Sequence, residues 1–118
     1  MLDYQHLELL SAGPVSTVRL LNQRPFRADK VVELTAEWNS VADRADCHAL
    51  VVDCSNVRLL SSEILSKLLL LQRRLKRRQA TLVLTGLRHE VREVMNWTRL
   101  DRCFEIDEDA EVEMAASA

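Results

Sequence analysis

The sequence predicts a single α/β domain with a mostly parallel central sheet, opened by a β-hairpin, in the order β-β-α-β-α-β-α-β-α. Three observations lead there. Residues 49–53 and 81–85 are short apolar runs bounded by polar residues, the signature of strands buried on both faces. Apolar residues recur at helical period between and around those runs. Ser11-Ala12-Gly13-Pro14 is strong turn chemistry separating two further short apolar stretches. Strands that alternate with helices need right-handed crossovers and hence parallel pairing.

In chain order, 7–10 and 15–21 form the hairpin strands, the second rich in β-branched residues. Asp29 is suited to cap a first helix, whose stripe is Val31, Leu34, Trp38, Val41 and Ala45. The run 48–53 is the third strand, broken by Cys54-Ser55-Asn56. Ser61 or Ser62 can cap the second helix, with Ile64, Leu68, Leu71 and Leu75 on one face and Leu65 and Leu69 widening it. Strand 81–85 ends at Gly86, and residues 88–97 carry Val91, Val94 and Met95 at helical spacing. A short strand over 103–106 and a terminal helix over 107–116 complete the order.

Composition sets limits. With 118 residues, 47% hydrophobic and 29% charged, the chain has the balance of one globular domain, 1–118, with its core at about 5–117. Aromatic residues are only 4%, so Leu, Val, Ile and Ala must build the interior. A net charge of -2 supplies no field for nucleic acid. No apolar run approaches the length of a membrane span, and MLDYQHLELL lacks the basic and apolar regions of a signal peptide. Cys47, Cys54 and Cys103 are an odd number without a CxxC pair, which fits a reducing, cytoplasmic setting.

The residue inventory argues against most chemistry. With only Gly13 and Gly86, neither a P-loop nor a dinucleotide fingerprint can be formed. His6, His48 and His89 lack metal-ligand spacing, so no metal or cofactor is expected. A small Cys or Ser hydrolase using Cys54 or Ser62 with His89 is the enzymatic alternative, but no nucleophile elbow or oxyanion-hole motif accompanies them. The expectation is therefore a non-catalytic protein. Lys67, Arg73, Arg74, Lys76, Arg77 and Arg78 form a basic stretch, and Glu105, Asp107, Glu108, Asp109, Glu111 and Glu113 an acidic one. Cations at a helix C-terminus and anions at an N-terminus both complement the macrodipole.

The segment Ala49-Leu-Val-Val-Asp53-Cys-Ser55-Asn-Val57-Arg-Leu-Leu-Ser61-Ser62-Glu63-Ile64-Leu65 resembles the signature of STAS domains, the fold of bacterial anti-sigma-factor antagonists. That pattern is a buried strand, Asp-x-Ser-x-Val, and then Asp-Ser-Ser/Thr-Gly-Leu opening a helix. The segments 75–85, 90–94 and 100–106 are similar to its later steps. The resemblance implies a protein partner, an anti-sigma factor that is itself a serine kinase. Ser62 falls at the phosphorylated serine of the family, with Ser61 as a rival acceptor. It further implies a partner-binding surface over Asn56, Val57, Arg58, Leu59, Leu60, Ser61, Ser62 and Glu63. This chain departs from the pattern in having Ser61 for the acid, Glu63 for the second Ser/Thr and Ile64 for the glycine. Those departures leave open a constitutive subunit of a larger assembly, such as a stressosome-like shell or a lipid-transport complex.

Overall fold

The computed structural model describes residues 4–21 and 28–107. Its elements are β1 (Leu7–Ser11), β2 (Val15–Leu20), α1 (Ala28–Ala42), β3 (Ala49–Asp53), α2 (Ser62–Lys76), β4 (Thr81–Thr85), α3 (His89–Thr98), a 3-10 turn (Leu100–Arg102) and β5 (Glu105–Ile106). They build one five-stranded sheet in the order β1-β2-β3-β4-β5. β1 and β2 are antiparallel and every later neighbour is parallel. This is the α/β architecture the patterning predicts. The expected fourth helix lies, from residue 108 onward, outside the described residues.

The hairpin turns where Gly13 adopts φ +138, and Ser16 Oγ donates to the Gly13 carbonyl at 3.0 Å. The Pro14 carbonyl then accepts from the His48 and Ala49 N–H groups, tying the hairpin to the start of β3. Pairing skips Leu10 between Leu9 and Ser11, a bulge that turns Leu10 outward at 41% exposure.

A single core joins Val18 and Leu20, Val31, Leu34 and Trp38, Leu50 and Val52, Leu68, Leu71 and Leu75, and Leu82 and Leu84. β3 is closed on both faces, since Val51 is buried as well. Two details of the helices differ from expectation. α1 already runs at Ala28, so Asp29 lies inside its first turn instead of capping it. The helix stops at Ala42, and Ala45 is exposed in the turn beyond. Contacts from α2 and the turn after it hold that end: Arg78 donates to the carbonyls of Ala42 and Arg44, and Arg74 forks onto both oxygens of Asp43 at 2.7 and 2.6 Å. In α3, Val91 and Met95 are buried but Val94 faces outward.

The Arg74 hydrogen bonds hold the Asp43 carboxyl below its usual range, outweighing the opposing effect of partial burial. A carboxylate whose folded pKa is depressed stabilises the protein above its unfolded pKa and loses that stabilisation as pH falls through the folded value. Both side chains remain nearly half exposed, at 47% and 46%, so the pair contributes less than about 1 kcal/mol. Urea titrations of Asp43→Asn should show a small deficit at neutral pH that vanishes as pH drops below about 4. A deficit that persists in acid would assign the loss to something other than the charge.

Candidate functional site

β3 and β4 end side by side, with Asp53 in register with Thr85, so the segments 54–61 and 86–88 leave the sheet at one edge. In open α/β sheets, the carboxyl ends of the strands are where ligands and partners meet the fold. The anchor here is Asp53, which is 0% exposed. Its Oδ2 accepts from Arg19 Nε at 2.9 Å, across the β2–β3 pairing that sets Arg19 opposite Asp53. Its Oδ1 accepts from the Ser55 N–H at 2.9 Å, which turns the chain out of the strand. Cys54 N–H donates to the Thr85 carbonyl at 2.8 Å, and Arg88 Nη1 reaches the Ser55 carbonyl at 3.4 Å. The loop therefore departs from a fixed base.

Along that loop the residues divide by burial. Val57 is 2% exposed and belongs to the core, so its side chain supports the loop from beneath and presents no contact surface. Leu60 packs partly against the same core, and Asn56 is half-buried. Arg58 and Leu59 project outward, Leu59 at 54% exposure. With Arg88 and Glu90 they line a cavity of about 310 Å³. No motif or spacing marks Arg88 or Glu90 as a site residue in the sequence. Their signal was position alone, immediately after Gly86 at the same sheet edge.

At the start of α2 the two serines have separate roles. Ser61 is the cap, extended at φ -72 and ψ 159, and its Oγ accepts from the Ile64 N–H at 3.2 Å. Ser62 is the first helical residue and is exposed, and its hydroxyl makes no hydrogen bond to any described residue. The capping position thus belongs to Ser61 alone, and the Ser62 hydroxyl is left free. Glu63 is also exposed, where the positive end of the helix dipole favours its charge. Ile64, standing where the family pattern has glycine, is 1% exposed and packs into the core.

The residues of the enzymatic alternative do not assemble. Cys54 is completely buried, and burial, reinforced by the neighbouring Asp53 charge, pushes its thiol up to about 12. A thiol held so far from ionisation is not a nucleophile at neutral pH. The His89 side chain is 81% exposed and pairs with Glu93 at 2.9 Å. Native protein treated with iodoacetamide should therefore be labelled at Cys103, which is exposed, and not at Cys47 or Cys54, which are buried. Rapid labelling of Cys54 before denaturation, read by peptide mass spectrometry, would contradict this. Among the described residues no three His, Cys, Asp or Glu side chains gather as a metal site. Nor is any described helix long and apolar enough to cross a membrane.

A five-stranded, mostly parallel sheet whose third strand passes through a short anchored loop into a helix defines a class, that of small α/β domains with their loops gathered at the carboxyl ends of the strands. The family model described as Mlab, STAS domain, matches residues 25–107, more than half of the chain, and this chain belongs to the STAS domain family. Among curated proteins none is significantly similar in sequence. Solved structures give the same answer at the level of fold. A STAS domain protein from Planctomyces limnophilus superposes with a TM-score of 0.78 at 17% identity, covering 93% of this chain and 96% of that one. An anti-sigma factor antagonist from Mycobacterium paratuberculosis gives 0.74 at 20% identity, covering 93% and 91%. The anti-sigma factor antagonist SpoIIAA in its unphosphorylated form, known from Bacillus, gives 0.69 at 14% identity, covering 94% of each chain.

Proposed function

We propose that this chain is a non-catalytic, cytoplasmic signalling module that binds an anti-sigma-type serine kinase through the start of α2 and the loop before it, and that phosphorylation of Ser62 switches the complex. The observation that carries this reading is the division of labour between the serines. Because Ser61 caps the helix, the exposed Ser62 hydroxyl is available to a kinase without loss of the cap. A phosphate there would add about -1.5 to -2 charges at the favourable end of the helix dipole, so the domain would stay folded while its outer surface changed sign. Arg58, Leu59 and Glu63 supply the neighbouring exposed contacts. That SpoIIAA is known in both unphosphorylated and phosphorylated forms supports the analogy.

A second reading has its own observation. Glu63 places a permanent charge beside Ser62, and buried Ile64 stands where the family pattern has glycine. Both suit a constitutive subunit of a larger assembly that uses the same surface without modification.

One experiment separates them. Wild-type, Ser62→Ala and Ser62→Asp proteins are used as bait in native lysate, partners and phosphosites are read by mass spectrometry, and affinities are measured for each partner recovered. A switch predicts a kinase partner retained by wild type and Ser62→Ala and weakened at least about tenfold by Ser62→Asp. Equal affinities for all three, with Ser61 and Ser62 unmodified, would leave the constitutive reading.

A further inference from the structure

The basic stretch along and just beyond α2 is more than a complement to the helix dipole, because its six cations are used in different ways. Arg74 is bound to Asp43, and Arg78 is spent on the Ala42 and Arg44 carbonyls. Lys76 lies beside Cys103 and Phe104 at another cavity. The side chains of Lys67, Arg73 and Arg77 make no ion pair or hydrogen bond with any described residue. These three line a groove of about 330 Å³ between α1 and α2, together with Thr35, Asn39 and Trp38.

Leu70 also lines this groove and is 53% exposed. It sits three residues after Lys67 and three before Arg73, so an apolar knob is ringed by cations on one helix face. Arg73 and Arg77, at i and i+4, repel each other with no neutralising acid paired to either among the described residues, a cost that a bound carboxylate would remove. Trp38, buried yet part of the groove wall, keeps an indole N–H with no acceptor among the described residues. An apolar anchor, three positive charges that no described residue answers, and polar Thr35 and Asn39 are complementary to one kind of occupant.

We propose that the α1–α2 groove docks an acidic, amphipathic segment of a partner protein, with an apolar side chain on Leu70 and carboxylates on Lys67, Arg73 and Arg77. The cations line a groove recessed between two helices, a shape that a protein segment can follow and a flat anionic membrane cannot. Trp38 is fully buried, so it offers nucleic acid no stacking platform. This surface is independent of Ser62 and of any switch there.

The test uses the full chain and fluorescence anisotropy with a labelled synthetic helix presenting alternating glutamate and leucine faces. Its glutamine-substituted counterpart and phosphatidylglycerol vesicles serve as rival probes. The acidic helix should bind in the micromolar range, more tightly than either rival. Affinity should fall at least about tenfold in Lys67→Glu/Arg77→Glu and again in Leu70→Ser, which keeps the charge. Ser62→Asp should leave it unchanged. All substituted side chains are at the surface, and circular dichroism checks that the variants fold. No binding, an affinity indifferent to Leu70→Ser, or preference for the vesicles would each overturn the proposal.

Discussion

Asp53→Ala should destabilise the domain by about 3 kcal/mol, measured by urea denaturation followed through circular dichroism. The carboxylate is wholly buried at the carboxyl end of β3 and bonds Arg19 with one oxygen and the Ser55 N–H with the other. Removing one member of such a pair leaves its partner without compensation, at a typical cost of about 3–5 kcal/mol. The low end applies here because the Arg19 side chain is 30% exposed and has Glu8 at 3.6 Å as a second carboxylate. Asp53→Asn should fall between wild type and alanine, since the amide oxygen still accepts from Ser55 while the charge opposite Arg19 is gone. A loss below about 1 kcal/mol for alanine would mean that Arg19 returns to water without penalty and that the loop needs no anchor.

The same residue shows how far the sequence could be read. Asp53 was visible as the end of a strand and the first letter of a motif, but its partner was not. Arg19 lies on β2, and only the parallel register of β2 with β3 places it opposite Asp53. Elements were legible wherever burial imposed a period: Ala49–Asp53 and Thr81–Thr85 as apolar runs, and Ile64, Leu68, Leu71 and Leu75 as a helical stripe. Positions set by tertiary contacts were not. α1 stops at Ala42, where Arg78, just beyond α2, holds the Ala42 and Arg44 carbonyls, although the apolar stripe continues in sequence to Ala45. The left-handed Arg99 that closes α3 has no glycine or asparagine to announce it. At the candidate site, exposure sorted the loop in a way spacing could not: Val57 went inward, Arg58 and Leu59 outward, and the choice between Ser61 and Ser62 turned on one hydrogen bond.

The most damaging small change should be Gly86→Ala, at a residue that ends β4 and lies against the base of the same loop. Gly86 adopts φ +68, where a side chain is strained, at a cost of about 1–2 kcal/mol. A Cβ there would also stand 2.6 Å from Asp53 Oδ1 and 3.2 Å from the Cβ and N of Ser55. The carboxylate cannot swing away without giving up Arg19 or the Ser55 N–H, so the clash should add about 1–3 kcal/mol. The expected total is about 2–5 kcal/mol, comparable to losing the carboxylate itself. Because the two effects share one oxygen, they should not add. In an Asp53→Ala background the Gly86→Ala substitution no longer meets Oδ1, and its cost should drop toward the backbone strain alone, giving a coupling of about 1 kcal/mol or more in a double-mutant cycle. Additive costs would show that strain at φ +68 accounts for the whole effect, and that Gly86 is required by its own backbone and not by the carboxylate it shelters.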